Sequence, residues 1–230
     1  MKRKIALLAL LFFYFTFPLF AQSFAKHFSQ SALSGLFHYF ENPLSATASD
    51  LYKENAKAKI QSIATWSFSA MIYGLDFTFV PNSLLYQVER DFTLTLRGKI
   101  DETRVVLEES KWDEELVDSS QMPIEYLATY YSHPHEIARR NFWSQSRFHN
   151  CVGINSIEFI QEADPFKAIE AAIQNGLIEL FSKKLINKPR MICGKVILAQ
   201  TPRFYVRANR LYAHITFLVE EQTVNSYLIP

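Results

Sequence analysis

Glycine is scarce in this chain. There are six in 230 residues, at positions 35, 74, 98, 153, 176 and 194, and no two are near neighbours. A loop that cradles phosphate needs several glycines together so that the backbone can approach the anion, so P-loop and dinucleotide-binding fingerprints are excluded. No Gly-x-Ser-x-Gly nucleophile elbow occurs, and the pair His135-Glu136 has Arg139 where a zincin has its second histidine. Cysteine is equally sparse, with Cys151 and Cys193 the only two. The aliphatic and aromatic content is high enough for a core, so a disulfide scaffold is not required, and the absence of cysteine near the N-terminus excludes a lipid-modified N-terminal cysteine. Cys151 and Cys193 are the one bridge available, and sequence leaves open whether they pair or sit apart. There is no Asn-x-Ser/Thr acceptor, which favours a bacterial envelope over a eukaryotic secretory route.

Long apolar runs are also missing, with one exception. Met1-Lys2-Arg3-Lys4 is a positive start, residues 5–20 are apolar except Thr16, and small residues follow at Ala21, Ser23 and Ala25. This is the layout of a secretory signal peptide. The run of 16 residues falls short of the ~20 that a spanning helix needs, and Pro18 suits a break before cleavage. The expected organisation is a signal peptide over 1–25, cleaved after Ala21 or Ala25, an irregular leader over 26–45, and a single domain over 46–230. An uncleaved N-terminal anchor is the alternative.

The formal charge of +1 hides a split. Between Asp101 and Asp118 eight acidic residues face only Arg104 and Lys111, whereas between Lys183 and Arg210 there are eight basic residues and no acidic one. Two solvated faces account for such a split, and so does a surface suited to an anionic partner.

Periodicity gives the elements. A helix is expected to start at Ser45, Thr47 or Ser49, with Ala56, Ile60 and Ile63 on its stripe. From Trp66 apolar and small polar residues alternate, which predicts a long strand or hairpin over 66–79 with a bulge at Gly74. Strands are expected over 92–96, 104–107 (paired with 92–96) and 151–160, and short helices over 123–131 and 134–145. Asp164-Pro165 opens the clearest helix, 165–185, with Phe166, Ile169, Ile173, Leu177 and Phe181 along one stripe. Strands over 190–200, 203–208, 211–221 and 224–229 close the chain. The fold class is α+β: a mainly antiparallel sheet with amphipathic helices packed on one face, after the signal peptide.

Two constellations carry chemistry. Three of the six histidines fall within 130–149, and His133, His135, Glu136 and His149 are metal-ligand types. Helix-start chemistry competes for them, because Pro134 at the first helical position puts His133 at the N-cap and Glu136 in the first turn, where the helix dipole favours an acid. Cys151 beside His149 offers a thiol–imidazole pair without any local signature of a cysteine hydrolase. The second constellation is Arg203-Phe204-Tyr205-Val206-Arg207. On a strand Arg203, Tyr205 and Arg207 share a face, and Tyr212, His214 and Thr216 point outward from the next strand. Arginine beside tyrosine can stack on and pair with anionic or planar groups.

The expected protein is thus an exported bacterial envelope or periplasmic protein, non-catalytic, that acts as a binding or structural module for an anionic ligand or an envelope protein through Arg203, Tyr205, Arg207 and His214. No cofactor is expected on that reading. The alternative is an exported metal-dependent hydrolase holding zinc at His133, His135, Glu136 and His149. Nucleic acid is not an expected partner, since export separates the chain from it. Membrane contact is expected only through an uncleaved leader or the aromatic stretch Phe24, Phe28, Phe37, Tyr39 and Phe40.

Overall fold

A helix whose second half is enclosed occupies the centre of the molecule. The computed structural model describes residues 32–39, 50–109, 124–145, 148–158, 164–184, 189–208 and 210–226, and Asp50–Ile72 forms this helix, α1. Along its second half Ile63, Ala64, Phe68, Ala70, Met71 and Ile72 are buried, and so are Thr65, Ser67 and Ser69 between them. The serines are tolerated there because they bond to their own helix. Ser67 Oγ donates to the Ile63 carbonyl at 2.7 Å and Ser69 Oγ to the Thr65 carbonyl at 2.6 Å.

The strand expected over 66–79 is therefore corrected. A helix with no solvent face has no polar stripe, and its alternation of apolar and small polar residues imitates a strand. The helix stops at Gly74, whose φ of +77° is the left-handed conformation that glycine adopts without a Cβ clash. The strand proper is β2, Leu75–Val80.

Two antiparallel sheets pack around α1. The smaller contains β1 (Ala32–Tyr39), β4 (Val105–Glu109) and β5 (Ile124–Tyr131) in the order β1-β5-β4. Phe68 of α1 meets the Phe37 ring edge-on at 5.9 Å and stacks on Tyr130 at 6.3 Å, which seats the helix on the inner face of this sheet. The larger, six-stranded sheet contains β2, β3 (Asp91–Leu96), β6 (His149–Glu158), β7 (Met191–Leu198) and β9 (Arg210–Asn225) in the order β3-β2-β7-β9-β6, and β8 (Arg203–Arg207) also pairs with β9.

Several expectations change here. Within the segment read as an irregular leader, residues 32–39 form β1 and bury Leu33 and Phe37, so Phe37 is core and not a docking residue. Phe24, Phe28, Phe40, the signal-peptide segment and the expected helix starts at Ser45, Thr47 and Ser49 lie outside the described residues. The helix expected over 123–131 is β5: Tyr126, Ala128 and Tyr130 point inward at a spacing of two, and pairing with both β1 and β4 settles the matter. β4 pairs with β5 and not with 92–96. No separate last strand begins at 224, because β9 runs unbroken to Asn225. Much of the acidic run beyond Glu109 lies outside the described residues.

Two further helices are α2, Pro134–Trp143, and α3, Pro165–Lys184. α3 opens as expected, with Asp164 Oδ1 accepting from the Phe166 amide at 3.0 Å. It lies on β6 and β9 and approaches so closely that a Cβ at Gly153 would stand 1.9 Å from the Ala172 carbonyl oxygen. α1 and α3 share one face of the large sheet and meet through Trp66 and Phe166, whose ring centroids are 5.9 Å apart. α2 is the exception to helices on one face. Its Trp143, with Phe148, packs on Ile197, Ala199 and Leu218, and Ile197 and Leu218 belong to the opposite face by strand alternation. No described helix is long and apolar enough to cross a membrane.

Candidate binding face

β7 and β8 follow one another along the same edge of β9, while β6 pairs with the other edge. Residues directly opposite in an antiparallel pair lie on the same face, so the register builds cross-strand rows. Arg203 lies opposite His214, and His214 opposite Ile154; Tyr205 lies opposite Tyr212, and Tyr212 opposite Ser156; Arg207 lies opposite Arg210. Phe204, Leu211, Ala213 and Ile215, the alternate residues, are buried on the α3 side. The structure therefore brings Arg203, Tyr205, Arg207 and His214 onto one face, away from α3.

This face is open. α2 covers it only at Ile197 and Leu218, and farther along Val152, Ile154 and Tyr205 are 45%, 47% and 42% exposed. The Tyr205 and Tyr212 rings stack with centroids 5.1 Å apart and planes within 5° of parallel. Arg203 and Arg207 are exposed on either side of this ring pair, and among the described residues neither takes part in an ion pair. An aromatic plate flanked by guanidinium groups, beside a small apolar strip, suits a planar or anionic group that can pair with the one and rest on the other. The sequence reading found the charged and aromatic members because strand alternation is local. It missed Val152 and Ile154, whose exposure depends on where α2 stops.

The histidine-rich segment is built differently. His133 caps α2 and Pro134 is its first residue, as helix-start chemistry predicts. Glu136 turns inward and is 2% exposed, and its carboxylate is surrounded by donors. The His133 amide donates at 2.7 Å, the Tyr130 hydroxyl lies at 2.9 and 3.0 Å from the two oxygens, and the Tyr73 hydroxyl donates at 3.1 Å. Arg104 contacts His133 Nε2, donates to the Tyr131 carbonyl at 2.6 Å, and lies over the Tyr130 ring. Burial, then the hydrogen bond to Glu136, raises the pKa of Tyr130 well above the usual tyrosine range, and burial moves Tyr73 in the same direction. On the same helix face, burial lowers the pKa of Arg140 to about 10.

The four residues expected to form a metal site are not gathered. The His133 and His135 rings stack on each other at 5.4 Å, Glu136 is taken up by protein donors, and His149 starts β6 opposite Val219. Among the described residues no three His, Cys, Asp or Glu side chains come together in a way that could hold a metal ion. Tyr73, Tyr130 and Arg104, the partners that make this a structural network, were not anticipated. Tyr73 is 63 positions away from Glu136 in sequence, and nothing in the local pattern announces the contact.

β6 begins at His149, so His149 and Cys151 do fall on the same side of the strand, His149 exposed and Cys151 buried. Neither Cys151 nor Cys193 is in a disulfide. Cys151 lies on β6 opposite Phe217 and Cys193 on β7 opposite Thr223, with β9 between the two strands. One intervening strand already separates them by about 9–10 Å, beyond the Cα separation a disulfide tolerates. The bridge considered for this pair is corrected on that geometry.

No curated protein and no solved structure matches the chain. A model of a family of unknown function matches residues 22–227, and the chain belongs to that family.

Proposed function

We propose that this is an exported, non-catalytic protein of the bacterial envelope, and that its β6–β9–β8 face binds an anionic partner. The observation that carries the reading is the pair of cross-strand rows in which Arg203 stands beside His214 and Tyr205 beside Tyr212, with Arg203 and Tyr205 exposed, on the part of the sheet face that no described helix covers. Cations held on a rigid sheet around a ring pair are pre-positioned, so a ligand needs to order few side chains to use them. Export is supported by the pattern of residues 1–25, a positive start, an apolar run and small residues.

The test uses heparin as a soluble polyanion probe. The protein should be retained on immobilised heparin at low salt and released as salt screens the contact. Arg203→Glu with Arg207→Glu should lower the affinity at least tenfold while leaving the melting point in place. Unchanged retention of that variant, or no retention of the parent protein, would sink the reading. N-terminal sequencing of the protein from the producing cell should find a chain beginning at Gln22 or Lys26, whereas an intact Met1 would remove the cleaved-export step.

A further inference from the structure

The loop between β2 and β3 carries the most exposed apolar side chains of the described residues. Leu84 is 90% exposed, Leu85 82% and Tyr86 43%. The loop is not loose. Ser83 and Val88 exchange two backbone hydrogen bonds, at 2.9 and 3.0 Å, and the Gln87 amide donates to the Leu84 carbonyl at 3.3 Å. Gln87 takes a φ of 52° to close the turn. A tight hairpin thus holds two leucines outward at its apex while part of its backbone polar inventory is satisfied internally.

The chemistry along this loop changes sharply. Residues 81–88, Pro-Asn-Ser-Leu-Leu-Tyr-Gln-Val, contain no charge. Charge begins at once at the base with Glu89, Arg90 and Asp91. Val80 is paired with Asp91, and Phe79 with Ile192, so Arg90 and Arg190 flank the position of Pro81 from the two neighbouring strands. Both arginines are exposed, and among the described residues neither is in an ion pair. An uncharged apolar apex, a tyrosine beside it and a charged collar one level down form a sequence of layers that matches acyl chain, interface and headgroup.

We propose that the β2–β3 hairpin tip is a membrane-surface anchor, with Leu84 and Leu85 entering the acyl boundary of a bilayer, Tyr86 at the interface, and Arg90 and Arg190 at the level of the lipid phosphates. A bilayer is the occupant that fits. The apex is convex and offers two leucines and one tyrosine, far short of the roughly 800 Å² that each partner contributes to a stable protein interface. A fluid apolar layer needs no complementary groove. A partly satisfied backbone leaves fewer groups to strip of water on entry. This contact is separate from the arginine face and does not depend on it.

The test reads the tip locally. In a Leu85→Trp variant of the protein, vesicles of phosphatidylcholine should blue-shift the emission of the added indole, and brominated acyl chains should quench it. An indole that stays open to iodide quenching in the presence of vesicles overturns the proposal. A blue shift that follows protein concentration and not lipid also overturns it, in favour of self-association. In parallel, Leu84→Glu with Leu85→Glu should lower partitioning of the processed chain onto phosphatidylcholine vesicles at least tenfold, and partitioning that is unchanged counts against the tip. Arg203→Glu with Arg207→Glu should leave partitioning onto this zwitterionic lipid as it was. A loss there would assign the membrane contact to the arginine face and overturn the tip as the anchor.

Discussion

The Tyr130 hydroxyl lies within 2.9 and 3.0 Å of the two carboxylate oxygens of Glu136, and both residues are buried. This contact ties the last residues of β5 to the first turn of α2. Removing the donor alone leaves a buried carboxylate short of one partner, and hydrogen bonds to a charged acceptor are worth about 1.5–3 kcal/mol. Tyr130→Phe should therefore lower the unfolding free energy by about 2 kcal/mol in urea titrations. Glu136→Ala should cost more, because it orphans the Tyr130 and Tyr73 hydroxyls and the His133 amide together. Equal losses for the two variants would mean that Glu136 does not organise the network.

The same contact has a pH signature. Burial first, then the Glu136 hydrogen bond and charge, raises the pKa of Tyr130. Protonated tyrosine is neutral, so a raised folded-state pKa gives stability that is full below the unfolded value, about 10, and is lost as pH climbs above it. Arg140 works in the opposite sense. Its pKa is lowered to about 10 by burial, so stability rises with pH from there towards its unfolded value. Tyr130→Phe removes only the tyrosine contribution. The stability gap between the parent protein and this variant should shrink between pH 9 and pH 11, measured by denaturant titration at each pH. A gap that stays constant would show that the hydroxyl does not titrate differently in the two states.

What the sequence made legible follows how local each cause is. α3 could be read from Asp164-Pro165 and a one-sided stripe, because both its cap and its half-burial are encoded within the segment. α1 could be read only as far as Ile63, since beyond that residue its surroundings come from two sheets and leave it almost no solvent face. A helix is expected over 123–131 because Pro123 suits a first helical position. The strand state of β5 depends on partners remote in sequence, including His38, whose Nε2 lies 2.5 Å from Glu125 Oε2. The candidate face was legible in Arg203, Tyr205 and Arg207 by simple alternation, and the cap role of His133 and Glu136 by spacing. Tyr73 was out of reach, because only the fold carries the end of α1 to the start of α2.

Gly153 is the point where α3 comes nearest to the sheet. A Cβ there would lie 1.9 Å from the Ala172 carbonyl oxygen, and a helix backbone cannot yield as a flexible side chain can. Gly153→Ala should therefore push α3 off β6 and destabilise the protein by about 3 kcal/mol, at the upper end of overpacking effects. Thermal unfolding followed by circular dichroism would show it. A variant that melts with the parent protein would place α3 farther from β6 than the structure does.

Ser67 and Ser69 look equivalent on α1, since both are buried and each donates to a carbonyl one turn back. Their neighbours distinguish them. Ser69 Oγ also accepts a hydrogen bond from the Ile100 amide at 3.1 Å, which fastens the segment after β3 to the central helix. Ser67→Ala removes a bond that competes weakly with the helix and adds the best helix former, so its effect should be within about 0.5 kcal/mol of zero. Ser69→Ala strands a buried amide and should cost about 1–3 kcal/mol. Hydrogen exchange gives the finer reading: the Ile100 amide should exchange faster in the Ser69 variant and be unaffected in the Ser67 variant. Equal destabilisation by the two changes would show that burial of the hydroxyl, and not the bond to Ile100, governs both sites.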